Sequence, residues 1–260
     1  MVRDNHVPVP GATPEETLRA FTSRATADPA VVGLVLSGSR VYAGMPTAHS
    51  DYDLHVVVHD ESVPALAALD RFRSDHLDLV VIPLAEFRTR GMPGRPDSFA
   101  RYSYVHAEVL FDRLDGTVAH ILDDKRTLGV DEARDAVAGW LDAYVNQTYR
   151  SLKSYRDDRP DMGHLDAAES VPYVLEVLFA LHRRVRPYNK FLRWELELQP
   201  LGDPRWAANR LLPVLRRVLA DGDPPSQRAL FNGIEEAARR AGHDQVLDAW
   251  GTDLELLRHR

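Results

Sequence analysis

The chain has 260 residues, 44% apolar and 27% charged, a balance that fits packed soluble cores, and its length favours two domains over one. A net charge of −7 disfavours a general nucleic-acid binder and suits cationic partners as well as plain solubility. The absence of cysteine excludes disulfides, thiolate metal sites and a cysteine nucleophile. No stretch approaches the roughly 18 apolar residues of a membrane span, and the opening MVRDNHVPVPG has no apolar signal segment, so a cytoplasmic protein is expected.

Residues 1 to 12 carry Pro8, Pro10 and Gly11 and read as an irregular arm. Thr13, Pro14, Glu15 and Glu16 then form a helix start, with a capping hydroxyl, a proline at the first position and acids in the first turn. Leu18, Phe21 and Ala25 give that helix its apolar stripe, and Asp28-Pro29 stops it. Val31 to Leu36 is a continuous apolar run, predicted as a buried strand. After Gly38-Ser39, residues 40 to 50 form a long connection, and Leu54 to Val58 is a second strand. Ser62 to Phe72 is predicted as a helix capped by Ser62, with Leu66 and Leu69 inward. Leu77 to Pro83 is a third strand, residues 84 to 103 an excursion rich in glycine and proline, and Val105 to Phe111 a fourth strand. Asp112 and Asp115 after it read as turn formers.

Beyond Gly129 the apolar period changes. Val137, Leu141, Tyr144, Val145, Thr148 and Leu152 recur at threes and fours, which predicts one long amphipathic helix over 131–156. Similar stripes mark 166–185, 206–219, 227–241 and 244–257, and Pro187 opens a shorter helix through Trp194 and Leu198. The expected organisation is α+β: a small mixed-sheet domain over 1–129, then an all-α helical bundle over 130–260.

The stretch Leu34 to Val58, LVLSGSRVYAGMPTAHSDYDLHVVV, carries the chemistry. Side chains alternate along a strand with a rise of roughly 3.3 Å per residue, so Asp51 and Asp53 point the same way about 7 Å apart at the backbone and converge on one hard cation. The Gly38-Ser39 turn, with backbone N–H groups and a hydroxyl, suits a polyphosphate beside it. Asp78 is an acid inside an otherwise apolar strand, a costly placement unless it is paired or metal-bound. The plain alternative is an edge aspartate facing water, with Asp75 close enough in sequence to be confused with it. Strand alternation could also turn Glu108 toward the same face, and His49 lies in the connection nearby. His55 and His59 are about 13 Å apart if extended, too far for one metal. No P-loop, H-E-x-x-H or G-x-S-x-G motif is present.

The ordered arrangement strand, Gly38-Ser39, spacer, Asp51-x-Asp53, strand resembles the core motif of the nucleotidyltransferase superfamily, whose fold is that of DNA polymerase beta. It is most similar to the bacterial antibiotic-modifying branch, in which a short catalytic domain precedes a helical one. The resemblance implies a nucleotidyltransferase domain over 1–129 and an acceptor-binding domain over 130–260. It implies Mg2+ held by Asp51, Asp53 and Asp78, ATP or another nucleoside triphosphate as co-substrate, and a short helix after Ser39 aimed at phosphate. Asp78 would complete the metal site, act as general base, or both. Gly38, Ser39 and Arg40 would lie at the triphosphate, although Arg40 reads equally as a solvent-facing arginine.

Lys190, within Pro187-Tyr188-Asn189-Lys190-Phe191, resembles the lysine that some relatives turn toward the triphosphate. Glu169 and Glu176, two helical turns apart, would hold ammonium groups of an aminoglycoside-like acceptor. The acceptor is expected between the two halves, near Lys190. The expected function is transfer of AMP to a hydroxyl of a small molecule, with antibiotic resistance as the implied role. Two other readings stay open: nucleotidylation of a protein or RNA partner, as in toxin–antitoxin relatives, and a catalytically silent nucleotide-binding module. A homodimer is left open, and no membrane partner is expected.

Overall fold

The computed structural model describes residues 13–61 and 65–258. The arm expected over 1–12 lies outside the described residues. The chain divides between Thr127 and Leu128 into two compact units. Together they make an α+β protein, with a mixed sheet in the first unit and, among the described residues, helices without strands in the second. No helix among the described residues is long and apolar enough to cross a membrane.

The first unit opens with α1 (Pro14–Ala27). The Thr13 hydroxyl accepts from the Glu16 N–H, and the Glu16 carboxylate accepts from the Thr13 N–H, so two orphan donors of the first turn are satisfied. Four strands follow: β1 (Val31–Ser37), β2 (Tyr52–Val58), β3 (Leu77–Pro83) and β4 (Glu108–Asp112), in the order β3-β2-β1-β4. β1 is antiparallel to both β2 and β4, and β2 is parallel to β3.

Both faces of the sheet are covered, which explains the unbroken apolar run of β1. On one face Leu34, Leu36, Leu54, Val56 and Leu79 pack with Phe21 and Ala25 of α1 and with Leu66 and Leu69. On the other, Val32, Val35, Val57 and Ile82 pack with Phe87 of α2 (Leu84–Thr89), Tyr104, and Val118, Ile121 and Leu122 of α3 (Thr117–Arg126). A register shift between Val31 and Gly33 lets Val31 and Leu34 face the same layer. Gly33 also admits α3: a Cβ there would lie 2.8 Å from a Val118 methyl.

Several local expectations change. The helix expected over Ser62–Phe72 is only a 3-10 turn at Ala67–Leu69, and Ser62 to Pro64 lie outside the described residues. Leu66 and Leu69, three apart, are both buried by that single turn. After a turn at Asp70 and Arg71, the latter at φ +58°, the chain pairs with the start of β3: Leu79 N–H donates to Phe72 O and Ser74 N–H to Leu77 O. The excursion over 84–103 contains α2 and enters a 3-10 segment, Ser98–Tyr104, so β4 begins at Glu108 and not at Val105.

The second unit is built on α4 (Val130–Arg156) and α5 (Pro160–Leu181), joined by three residues. Then come α6 (Leu192–Leu198), α7 (Ala208–Asp221), α8 (Pro224–Arg240), α9 (Asp244–Asp248) and α10 (Leu254–Arg258). One apolar core, from Leu141 and Leu178 to Phe231, Ile234 and Leu257, lies wholly within this unit. The helix expected from Pro187 starts only at Leu192, after a 3-10 turn at Asn189–Phe191. The one expected over 244–257 is split into α9 and α10, with Gly251 at φ +52° between them.

Candidate functional site

Asp51 ends the connection into β2, and Asp53 is the second residue of that strand. Asp78 is the second residue of β3 and stands in direct parallel register with Asp53. Alternation sends Tyr52, Leu54, Leu77 and Leu79 into the α1-side core, which leaves Asp51, Asp53 and Asp78 on the opposite face at one end of the sheet. Their carboxylate oxygens lie within 4.8 Å of one another, and all three residues are half-buried. Among the described residues they are the one group of three or more acids or histidines drawn together in this way.

Oxygen ligands at 2.0–2.1 Å from one magnesium ion lie at most about 4.2 Å apart. The cluster thus fits a hard divalent cation with slight closing, and an all-oxygen set suits magnesium.

β1 ends beside this cluster. Ser37 pairs with Asp53, and Gly38 then turns the chain at φ +74°. A Cβ on Gly38 would fall 1.6 Å from Oδ2 of Asp53, so the backbone of the turn lies directly against that carboxylate. The helix expected after Ser39 is a single 3-10 turn, Gly38–Val41. The buried Ser39 hydroxyl donates to Ser50 Oγ at 3.0 Å, and that oxygen also accepts from the Thr47 N–H.

Arg40 is a clamp on the same connection. Its Nη2 and Nε donate to Ser50 O at 2.6 and 3.2 Å, and its guanidinium lies 4.3 Å from the centre of the Tyr52 ring. Tyr52 belongs to the α1-side face, opposite Asp51 and Asp53.

Beneath the carboxylates the side chains are buried. His55, two residues along the same face from Asp53, is buried, with Nε2 3.3 Å from Ser37 Oγ and its ring 5.0 Å from that of Tyr104. Burial, helped by the Arg90 and Lys125 charges, pushes its pKa down to about 4, so it is neutral at pH 7. A neutral, poorly polarisable floor strengthens the attraction between the carboxylates and any cation above them.

Asp78 is partnered by Arg73, whose Nε lies 3.0 Å from its Oδ2. Burial raises the Asp78 carboxyl above the ordinary range; the Arg73 charge opposes this and the Asp51 charge adds to it.

The other acids near the sheet fall elsewhere. Asp75 is exposed in the turn before β3, and Glu108 is exposed on β4 opposite Leu36. His49 is exposed in the 42–50 connection. Asp112 accepts from the N–H groups of Leu114, Val118 and Ala119, the turn-forming part expected of it.

Three predicted residues belong to the second unit. Lys190 is exposed, its Nζ 5.1 Å from the Phe191 ring centre. Glu169 is exposed and accepts from the Tyr173 hydroxyl at 3.4 Å. Glu176 is half-buried and paired with Arg186 at 3.4 Å; burial raises its carboxyl more than the arginine lowers it.

Sequence reasoning passed over Arg73 and the Ser37–His55 contact. Arg73 was findable: Ser74, Asp75 and His76 are turn formers between Phe72 and Leu77, and a hairpin there sets Arg73 opposite Asp78.

The sequence matches no known protein-family model, and it matches no curated protein. Among solved structures it is similar to a nucleotidyltransferase-like protein from Exiguobacterium sibiricum 255-15, with 12% identity and a TM-score of 0.46 over 95% of this chain and 78% of that one. The carboxylate geometry, and not that likeness, carries the functional reading.

Proposed function

We propose that this chain is a magnesium-dependent nucleotidyltransferase that moves a nucleoside monophosphate, AMP from ATP, to a hydroxyl of a small molecule and releases pyrophosphate. The observation that carries this reading is the convergence of Asp51, Asp53 and Asp78 within 4.8 Å, with the Gly38 turn packed directly against Asp53. Three converging carboxylates repel one another unless a cation joins them, and a bare glycine turn alongside leaves backbone N–H groups for phosphate oxygens.

Asp51, Asp53 and Asp78 would hold one or two magnesium ions. When bound, the metal neutralises negative charge on the triphosphate and on the departing pyrophosphate. Gly38 and Ser39 bind phosphate through the turn, while Arg40 shapes the connection that borders it. Asp78 takes the acceptor proton, a role favoured by burial, which raises its carboxyl above the ordinary range. On the second unit, the exposed Glu169 offers a carboxylate to a cationic, aminoglycoside-like acceptor, and Glu176 joins it only by giving up Arg186.

The test is pyrophosphate release from each of the four triphosphates with Mg2+, in the presence of aminoglycosides, lincosamides or small-molecule cell extract. Release that needs one acceptor and is lost in Asp53→Asn supports the assignment. Failure of every triphosphate and acceptor, or equal release by Asp53→Asn, contradicts it.

A further inference from the structure

Arg73 occupies an unusual position for an exposed arginine. The segment from Asp70 to Ser74 doubles back along the free edge of β3, and Arg73 and Asp78 form an antiparallel bridge. The flanking hydrogen bonds, Leu79 N–H to Phe72 O and Ser74 N–H to Leu77 O, make 73 and 78 a non-hydrogen-bonded pair, the type in which facing side chains come closest. Facing residues share a face of the sheet, so the backbone itself delivers the guanidinium to the carboxylate cluster, and Nε reaches Asp78 Oδ2 at 3.0 Å. The rest of the arginine is in solvent: its side chain is 79% exposed, against 21% for Asp78. It is thus a cation held at the site by its backbone and by one carboxylate, with little packing to keep it there.

We infer that Arg73 is a tethered competitor for the metal, holding Asp78 in the metal-free protein and giving it up when a divalent cation binds. The inference rests on the metal-site reading above. A monovalent guanidinium balances only part of the charge of three carboxylates, so a divalent cation that also reaches Asp51 and Asp53 displaces it, and the energy of breaking the ion pair is subtracted from metal affinity. Removing the guanidinium therefore tightens metal binding. A residue that merely supported the hairpin would do the reverse, because its loss would loosen Asp78.

The experiment is calorimetric titration of the full chain with Mn2+ alone, at low ionic strength. Wild type is compared with Arg73→Gln, Arg73→Lys and Asp53→Asn, each checked for folding by circular dichroism. Arg73→Gln is expected to bind Mn2+ about two- to fivefold more tightly than wild type, the size of an exposed ion pair. Arg73→Lys should stay near wild type, and added NaCl should narrow the gap by screening the pair. Unchanged or weaker binding by Arg73→Gln, with Asp53→Asn still abolishing it, overturns the role of Arg73 alone. Binding that Asp53→Asn leaves intact, or no binding by wild type, overturns the metal site on which the inference rests.

Discussion

At the scale of single residues, the decisive contact is between Gly38 and Asp53. Any side chain at 38 is penalised twice, by a left-handed backbone costing about 1–2 kcal/mol and by overlap with the carboxylate itself. Gly38→Ala should therefore lower stability by about that amount and weaken Mn2+ binding at least tenfold, as Asp53 is pushed aside. Asp53→Asn should abolish metal binding while leaving the metal-free melting temperature unchanged or higher, because it relieves repulsion among half-buried carboxylates. Thermal melts with and without Mn2+ check both variants, and a Gly38→Ala protein that bound metal normally would contradict the geometry.

Asp51, Asp53, Gly38 and Ser39 were legible in the sequence because strand alternation and a turn signal suffice to bring them together. Arg73 was signalled only by the turn formers that follow it, and helix-like apolar spacing at Leu66 and Leu69 drew the reading of that stretch away from a hairpin. The hold of Arg40 on Ser50 O was hidden, because a contact across the connection leaves no local spacing signal.

At the scale of elements, the in-register start of β2 and β3 puts Asp53 beside Asp78, and the clamp of Arg40 on Ser50 fixes the connection that enters β2. Arg40→Met should cost about 1–3 kcal/mol by removing charge-assisted hydrogen bonds to a carbonyl, with Mn2+ affinity kept within about threefold. A stable variant that instead lost triphosphate affinity tenfold would return Arg40 to the phosphates.

On the α3 side of the sheet, Lys125 of α3 is fully buried and donates to Arg88 O and Arg90 O at the end of α2. Burial pushes its pKa down to about 8. The folded protein then binds fewer protons than the unfolded chain between about pH 8 and 10.5, so this residue's contribution to stability rises with pH across that window and is least favourable below it. Compared with Lys125→Met, wild type should gain up to about 3 kcal/mol between pH 8 and 10.5, measured by urea denaturation. A constant difference would show that the lysine titrates normally.

Secondary structure was read well where one tertiary neighbour dominates, as in α1, β1 to β3 and α4. It was read poorly where the chain answers to two neighbours, as at 62–72, where Leu69 faces a core while the next residues pair with a strand edge.

At the scale of the whole molecule, the two units have separate cores. The two clusters flanking the sheet draw only on residues 18 to 122, and the helical cluster only on residues 128 to 257. A chain cut between Thr127 and Leu128 should therefore yield two pieces that each unfold cooperatively in calorimetry, and the first should retain Mn2+ binding. A first piece that failed to fold would show that its stability depends on the second. The change of apolar period beyond Gly129 made two regions legible. The late helix start after Pro187 and the break around Gly251 were not, because 3-10 turns conserve an apolar spacing of three and leave the stripe looking continuous.

The most direct measurement follows the fate of the phosphates. With Mg2+, the acceptor-containing mixture and ATP labelled in separate reactions at the α- or the γ-phosphate, the α label should pass into an acid-stable organic product and the γ label should appear as pyrophosphate. Asp53→Asn should produce neither. Release of the γ label as inorganic phosphate, or its transfer to the acceptor, would contradict nucleotidyl transfer and make the carboxylate cluster a site for a different phosphoryl chemistry.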